Sequence, residues 1–180
     1  MDARAGPSPF LLAHLDAVAA AGARGGAVDY ACGAGRHALL VAGRGVPVLA
    51  LDRDAAALAS LRMRARAARL PVQPLRADLE AMPAPLAAGR CGALLVFRYL
   101  HRPAAETLAA ALRPGGLLVY ETFTEHQREL GAGPRNPAFL LAPGELPRLF
   151  PSLEHLAYWE GLTEDAQPSA VARLLARRPA

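Results

Sequence analysis

Val28-Asp29-Tyr30-Ala31-Cys32-Gly33-Ala34-Gly35-Arg36-His37, followed by Leu49-Ala50-Leu51-Asp52, narrows what this chain can fold into more than any other stretch. An apolar run enters a glycine turn, a helical segment leaves it, and a second apolar run ends on a carboxylate. Glycines at 33 and 35 let the backbone pass close under a ligand, because no Cβ blocks the approach. Asp52 then stands where a ribose with two free hydroxyls would be held. The pattern predicts a nucleoside-cofactor site.

The rest of the chain supplies the sheet that such a site needs. Ser8-Pro9 starts a helix over Phe10–Ala20, stopped near Gly22. Strands are expected at Ala27–Ala31, at Val46–Leu51, between Pro71 and Pro74, at the start of Gly92–Tyr99, and at Leu117–Tyr120. Helices fall between them at Arg36–Gly43, from Asp54 to about Arg69, and at Pro103–Arg113, with Pro114-Gly115-Gly116 turning into the fifth strand. In the longest helix Leu61, Ala65 and Ala68 form one stripe, and Arg62, Arg66 and Arg69 form a neighbouring solvated one. A proline-rich, weakly structured passage runs up to Gly89. Thr124–Ala142, with Thr124–Leu130 helical, is long enough to be a lid or binding loop. Gly144–Phe150 reads as a short helix. Leu153–Trp159 and Ala170–Ala176 pair as antiparallel strands across a polar turn near Glu164-Asp165, although the Ala and Leu content of the last segment also suits a helix.

Strands alternating with helices argue for an α/β fold, Rossmann-like and doubly wound. The expected sheet is mostly parallel and seven-stranded, with helices on both faces and a C-terminal antiparallel hairpin. At 180 residues one domain is expected over 1–180. It divides into an N-terminal helix (1–24), a cofactor-binding core (25–123), and a lid loop with the C-terminal sheet edge (124–180).

Charge and cysteine content bear on the partners. The net charge is +4, but all 20 basic residues are arginine, which reads as coding bias rather than selection for nucleic acid. Aromatic residues make up only 6% of the chain, which argues against base-stacking platforms. Cys32 and Cys91 are far apart and suit a reduced interior. No signal pattern or membrane-length apolar run is present, so a cytoplasmic protein with no membrane partner, monomeric or homodimeric, is expected.

Gly33-Ala34-Gly35-Arg36-His37-Ala38 satisfies the dinucleotide fingerprint G-x-G-x-x-A. In that setting the helix start faces a pyrophosphate, which an acidic side chain just upstream would repel. Asp29 lies four residues before Gly33 and is expected to point toward the same crevice, where it suits a cationic amino group or sulfonium. A second domain to carry hydride chemistry is not expected either. S-adenosylmethionine fits these features better than NAD.

The run Asp29–His37 resembles the first motif of class I S-adenosylmethionine-dependent methyltransferases, and Leu49-Ala50-Leu51-Asp52 resembles their second. Ala77-Asp78-Leu79 is similar to the third, and Leu112-Arg113-Pro114-Gly115-Gly116-Leu117-Leu118 to the helix-turn-strand after the fourth. The Cys-Gly-x-Gly-Arg variant and the small size are similar to the tellurite-resistance methyltransferase group and its bacterial relatives. The likeness covers roughly residues 25–123. It implies that Cys32, Gly33, Ala34, Gly35 and Arg36 form the turn around the methionine portion, with Asp29 balancing its ammonium. It further implies that Asp52 accepts from the ribose hydroxyls, with Arg53 along the adenine. Asp78 would accept from the exocyclic amine, and Leu79 would offer a backbone amide to the ring. Phe97 and Arg98 are expected to line the methyl-transfer crevice at the carboxyl ends of the strands. A plain reading makes Asp52 a helix cap and Asp78 a turn residue.

For the acceptor, Tyr99, His101 and Glu121 are the catalytic candidates, because they fall at or just past strand ends that converge on the site. His37 reads as a surface or capping histidine, and no metal ligands are assigned. Phe97-Arg98-Tyr99-Leu100 stands where base-modifying relatives carry an Asn/Asp-Pro-Pro-Tyr/Phe clamp, and neither cysteine suits covalent attack on cytosine. The turn from Glu160 to Pro168 holds no histidine or arginine to clamp a metalloid oxyanion. The expected activity is methyl transfer to a small molecule by in-line displacement. The alternatives are a catalytically silent binding module and an RNA methyltransferase using the Arg62, Arg66 and Arg69 face.

Overall fold

A computed structural model describes residues 6–80, 86–164 and 167–180. Ser8 opens the first helix, α1 (Pro9–Ala13), by accepting a hydrogen bond from the Phe10 amide on its hydroxyl, with Pro9 in the first turn. The single N-terminal helix expected from sequence is broken at His14, whose ring packs edge-on against Phe10. The chain restarts as α2 (Leu15–Gly22). The first alternating units follow: β1 (Ala27–Tyr30), α3 (Arg36–Ala42), β2 (Val48–Asp52), α4 (Ala55–Ala67) and β3 (Val72–Arg76). Then come β4 (Cys91–Phe97), α5 (Ala105–Ala111), β5 (Leu112–Phe123), α6 (Glu145–Arg148), β6 (Glu154–Leu162) and β7 (Ala170–Arg177).

The seven strands form one sheet in the order β3-β2-β1-β4-β5-β7-β6. The first five are parallel, and β7 inserts antiparallel between β5 and β6. This is the Rossmann-like sheet expected from the sequence, including its C-terminal antiparallel hairpin. β7 is a strand despite its helix-favouring Ala and Leu, because pairing on both edges outweighs local propensity. The order reverses between β1 and β4, and ligands bind at the carboxyl ends beside such a reversal.

Both faces of the central strands are covered, so β4 is buried at every position and shows no alternation. Leu94 and Val96 point to one layer with Leu108 of α5 and Leu146 of α6. Ala93, Leu95 and Phe97 point to the other, with Leu11, Val18, Val41, Leu58 and Leu61 from the first four helices.

Three local departures have identifiable causes. The buried stripe of α4 is Leu58, Leu61 and Ala65, while Ala68 is exposed because it caps the end of the helix. Pro74 lies inside β3 rather than bounding it, which an edge strand tolerates because one side has no ladder to donate to. Pro114-Gly115-Gly116 is an irregularity within β5: Leu112 pairs with Cys91, and the ladder resumes at Ala93 with Leu117. Residues 81–85 of the expected proline-rich passage, Asp165 of the expected hairpin turn, and residues 1–5 lie outside the described residues. No helix among the described residues is long and apolar enough to cross a membrane.

Gly92 is where backbone crowding is greatest. A Cβ there would stand 2.2 Å from the Ala21 carbonyl oxygen and 3.0 Å from that of Gly26, and neither can swing away. Gly92→Ala is expected to lower unfolding stability by about 3 kcal/mol in urea titration, whereas Gly6→Ala, which meets nothing, should change it by less than about 0.5 kcal/mol.

Candidate active site

The turn between β1 and α3 is built from left-handed residues. Ala31 (φ 60°), Gly33 (φ 53°) and Gly35 (φ 74°) alternate with ordinary ones. A Cβ on Gly33 would meet nothing within 4 Å, so this side of the turn is open to a ligand. A Cβ on Gly35 would strike the Leu61 methyls. Asp52, at the end of β2, braces the turn: its carboxylate accepts from the Gly33 amide at 2.6 Å and from the Asp54 amide at 2.9 Å. Asp54, not Asp52, caps α4, accepting from the Ala56 and Ala57 amides. The Arg64 guanidinium donates to the Ala34 carbonyl and fixes the turn from the helix side.

Beside this turn lies a cavity of about 390 Å³ at the carboxyl ends of the strands, within the range of small-molecule sites. Of the residues expected at the cofactor, Asp52, Arg53, Asp78, Leu79 and Arg98 line it, as does Tyr99 from the catalytic candidates. Asp78 also accepts from the Glu80 amide on its own carboxylate, at 3.1 Å. Gly33, Ala34, Gly35 and Arg36 form the adjoining turn rather than the cavity wall. Cys32 is buried behind it, and burial pushes its thiol up.

Asp29 is placed differently from the expectation. It is buried and does not line the cavity, and its carboxylate accepts from the Ala38 amide at 2.9 Å, inside the first turn of α3. Burial raises its pKa to about 7, partly opposed by the Ala38 hydrogen bond and the Arg36 charge. Phe97 is likewise buried, stacked 3.9 Å from the His37 ring.

Two of the three catalytic candidates stand away from the cavity. Glu121 is buried, and its carboxylate accepts from the Ser8 hydroxyl at 2.9 Å and from Arg173 Nε at 2.8 Å. His101 does not line the cavity, and its Nδ1 is buried without a partner among the described residues. Tyr99 does line it, packed edge-on to Tyr30 at 5.7 Å, with burial pushing its phenol up, so it stands as a neutral donor. His37 is not a surface residue: it is buried, accepts from the Ser8 amide at 3.1 Å on Nε2, and is held neutral, its pKa pushed down to about 3 by burial.

Phe123, Pro134 and Phe139 also line the cavity, and sequence reasoning did not single them out. Phe123 extends β5 past its expected end, and the other two belong to the long segment expected to be a binding loop. That segment is pinned by Arg102, whose guanidinium donates to the Ala138 carbonyl at 2.9 Å, the Leu140 carbonyl at 2.8 Å, and the Glu145 carboxylate. No cluster of three or more His, Cys, Asp or Glu among the described residues is placed to hold a metal.

An anion braced on an open glycine turn, beside a cavity at the sheet reversal, fits a nucleoside with free ribose hydroxyls and a positively charged tail. A family model described as a methyltransferase domain matches residues 27–116, half of the chain. No curated protein matches. Among solved structures, TehB from Haemophilus influenzae is 18% identical, with 92% of this chain and 62% of that one covered and a TM-score of 0.74. An S-adenosylmethionine-dependent methyltransferase from Mesorhizobium loti is 19% identical, with 95% and 99% covered and a TM-score of 0.71. Geranyl diphosphate C-methyltransferase from Streptomyces coelicolor A3(2) is 17% identical, with 93% and 80% covered and a TM-score of 0.67.

The Asp29 carboxyl carries a pH signature. In the unfolded chain it ionises above about pH 4, while the fold holds it protonated up to about pH 7, so stability falls across that window and levels off above it. Relative to the native chain, Asp29→Asn is therefore expected to gain stability progressively between about pH 4 and about pH 7, measured by urea titration. A difference that stays constant with pH would mean that the buried carboxyl is an anion throughout.

Proposed function

The chain belongs to the methyltransferase domain family and is an S-adenosylmethionine-dependent enzyme, and we propose that its acceptor is a small molecule bound in the cavity beside Asp52. The observation that carries this reading is the cavity itself. Its wall runs from Asp52 and Asp78, at the end of β2 and just past β3, to Phe123 at the end of β5, and so spans the carboxyl ends of the strands on both sides of the sheet reversal. The geranyl diphosphate enzyme, a structural neighbour with a small-molecule acceptor, is consistent with it. The Cys32-Gly33-Ala34-Gly35-Arg36 turn and the likeness to TehB favour a relative of the tellurite-resistance group.

In this reading each residue has a task set by its position. Asp52 accepts from the ribose hydroxyls with lone pairs not used on Gly33 and Asp54, and Arg53 lies along the adenine. Asp78 accepts from the exocyclic amine, and Leu79 offers its amide. The backbone of the 33–35 turn meets the methionine portion across the open side of Gly33, with the Gly33 amide held by Asp52 and the Gly35 amide by the Cys32 carbonyl. Asp29 acts through the helix it anchors, holding α3 and hence the turn.

When bound, the cofactor supplies an electrophilic methyl carbon. That chemistry would be in-line displacement by an acceptor lone pair with sulfur as the leaving group, and Asp52, Asp78 and the 33–35 turn would hold the donor for it. The chain's own contribution is alignment and exclusion of water. Tyr99 serves as a neutral hydrogen-bond donor rather than a base, because burial opposes its ionisation. Glu121, away from the cavity, ties β5 to Ser8 and to Arg173 of β7.

Asp52→Ala is expected to weaken S-adenosylmethionine binding at least tenfold in calorimetry, about 1.4 kcal/mol or more, since it removes the ribose acceptor and the brace on the turn. Asp52→Asn should lose less. Unchanged affinity would remove Asp52 from the site. Incubation of the enzyme with a methyl-labelled donor and fractionated cell extract should put label into small metabolites, and label found only in RNA or protein would overturn the acceptor class.

A further inference from the structure

The two ends of the cavity are lined by different chemistry. Asp52, Arg53, Asp78 and Glu80 stand at the β2–β3 side. Leu100, which follows β4, Phe123 at the end of β5, and Pro134 and Phe139 from the loop after β5 make an apolar wall at the other. The sheet order puts β5 three strands away from β2, about 14 Å at the ordinary strand spacing. With the ribose on Asp52 and the methionine portion on the turn beside β1, the β5 end is left for the acceptor.

Phe139 stands out in that wall. It is 44% exposed, whereas its neighbour Leu140 is 3% exposed and packs with Phe123 and Val171. Its backbone is nevertheless fixed on both sides. Phe139 closes a short 3-10 turn, Pro137–Phe139, capped by the Asn136 side chain, and Arg102 grips the carbonyls of Ala138 and Leu140. The Leu141 amide donates to the Phe123 carbonyl at 3.0 Å and the Leu141 carbonyl accepts from the Glu125 amide at 2.9 Å, which laces the returning loop to the end of β5. No aromatic ring or cation packs on the Phe139 ring among the described residues. Phe123 differs, because the Arg98 guanidinium carbon lies 5.9 Å from its ring centre. An uncovered ring on a fixed backbone offers a ligand contact area at little ordering cost.

We infer that the acceptor carries a flat aromatic ring that stacks on Phe139, which makes Phe139 a specificity-determining residue for methyl transfer. This rests on the methyl-transfer reading above, which places the nucleoside at the opposite end. Recognition here needs no charge on the acceptor: the Phe139 ring selects a π-face and an apolar body, whichever nucleophilic atom that body bears. A saturated body of equal size buries similar area without the ring-to-ring contact. A strongly polar acceptor gives up its water against Leu100, Phe123 and Pro134.

The test uses the whole chain loaded with S-adenosylhomocysteine, with probe binding followed by ligand-observed NMR. The probes are neutral aryl methanols of one or two fused rings, each matched with its ring-saturated counterpart. At least one aryl methanol is expected to bind about fivefold more tightly than its counterpart. Phe139→Ala and Phe139→Leu should both remove that preference, and Phe139→Tyr should keep it. The exposure of Phe139 lets its side chain be shortened without opening the core. S-adenosylhomocysteine affinity, read by calorimetry, should stay within about twofold in all three variants. Equal binding of aryl and saturated probes, no binding of any aryl probe, or a preference that survives in Phe139→Leu would overturn the stacked acceptor and leave the methyltransferase reading standing. So would a roughly tenfold fall in S-adenosylhomocysteine affinity in Phe139→Ala, which would assign the ring to the cofactor's base. Failure of S-adenosylhomocysteine to bind the native chain would overturn both readings.

Discussion

The site depends on the Asp52 carboxylate holding the Gly33 amide at 2.6 Å. Three left-handed residues within five positions make an expensive turn, and one of them, Ala31, bears a Cβ. Such a conformation persists only where its surroundings over-determine it. Here Asp52 grips it from β2, the Cys32 amide donates to the Leu51 carbonyl at 2.9 Å, and Arg64 holds the Ala34 carbonyl from α4. Leu61 packs where a Gly35 side chain would be, so the same helix that braces the turn also forbids anything larger there. A charge-assisted bond of this kind contributes about 1.5–3 kcal/mol, comparable with the strain of one left-handed residue.

A second buried polar chain ties the rest of the molecule to that turn. Arg173 of β7 and Ser8 before α1 both donate to Glu121 of β5, while the Ser8 amide donates to His37 in the first turn of α3. β5, β7, the start of the N-terminal helix and α3 are thus joined through two residues, Ser8 and Glu121. Arg173, half-buried, is held further over the Phe10 and Trp159 rings. Glu121 is committed to these partners and does not line the cavity.

Much of this was legible in the sequence. The β1–turn–α3–β2 unit, the sheet class and the placing of Asp52, Asp78 and Arg98 at the cavity follow from local signals: periodicity, glycine, and strand ends. What stayed hidden depends on distant partners. Glu121 meets Ser8 and Arg173, which are 113 and 52 residues away. No local pattern separates a strand-end carboxylate that is paired from one that faces a ligand. Asp29 was misplaced for a related reason. Its position in β1 points to the crevice or to the start of α3, and the Ala38 amide, an unpaired donor of that helix start, captures it. Phe139 was missed because its place is set by Arg102 across the loop rather than by any periodic run.

The two polar chains divide the work of the site between them. Groups already satisfied by the protein, Glu121 with Ser8 and Arg173, or Asp29 with the α3 amide, cannot respond to a ligand without breaking a buried bond, so their role is to hold geometry. Asp52, Asp78, Arg98 and Tyr99 instead line the cavity. A reaction whose electrophile arrives fully activated asks little more than this. Its barrier falls mainly through fixing the angle and distance between the reacting atoms, and the loop that Arg102 pins at the Ala138 and Leu140 carbonyls holds Phe139 in the cavity wall.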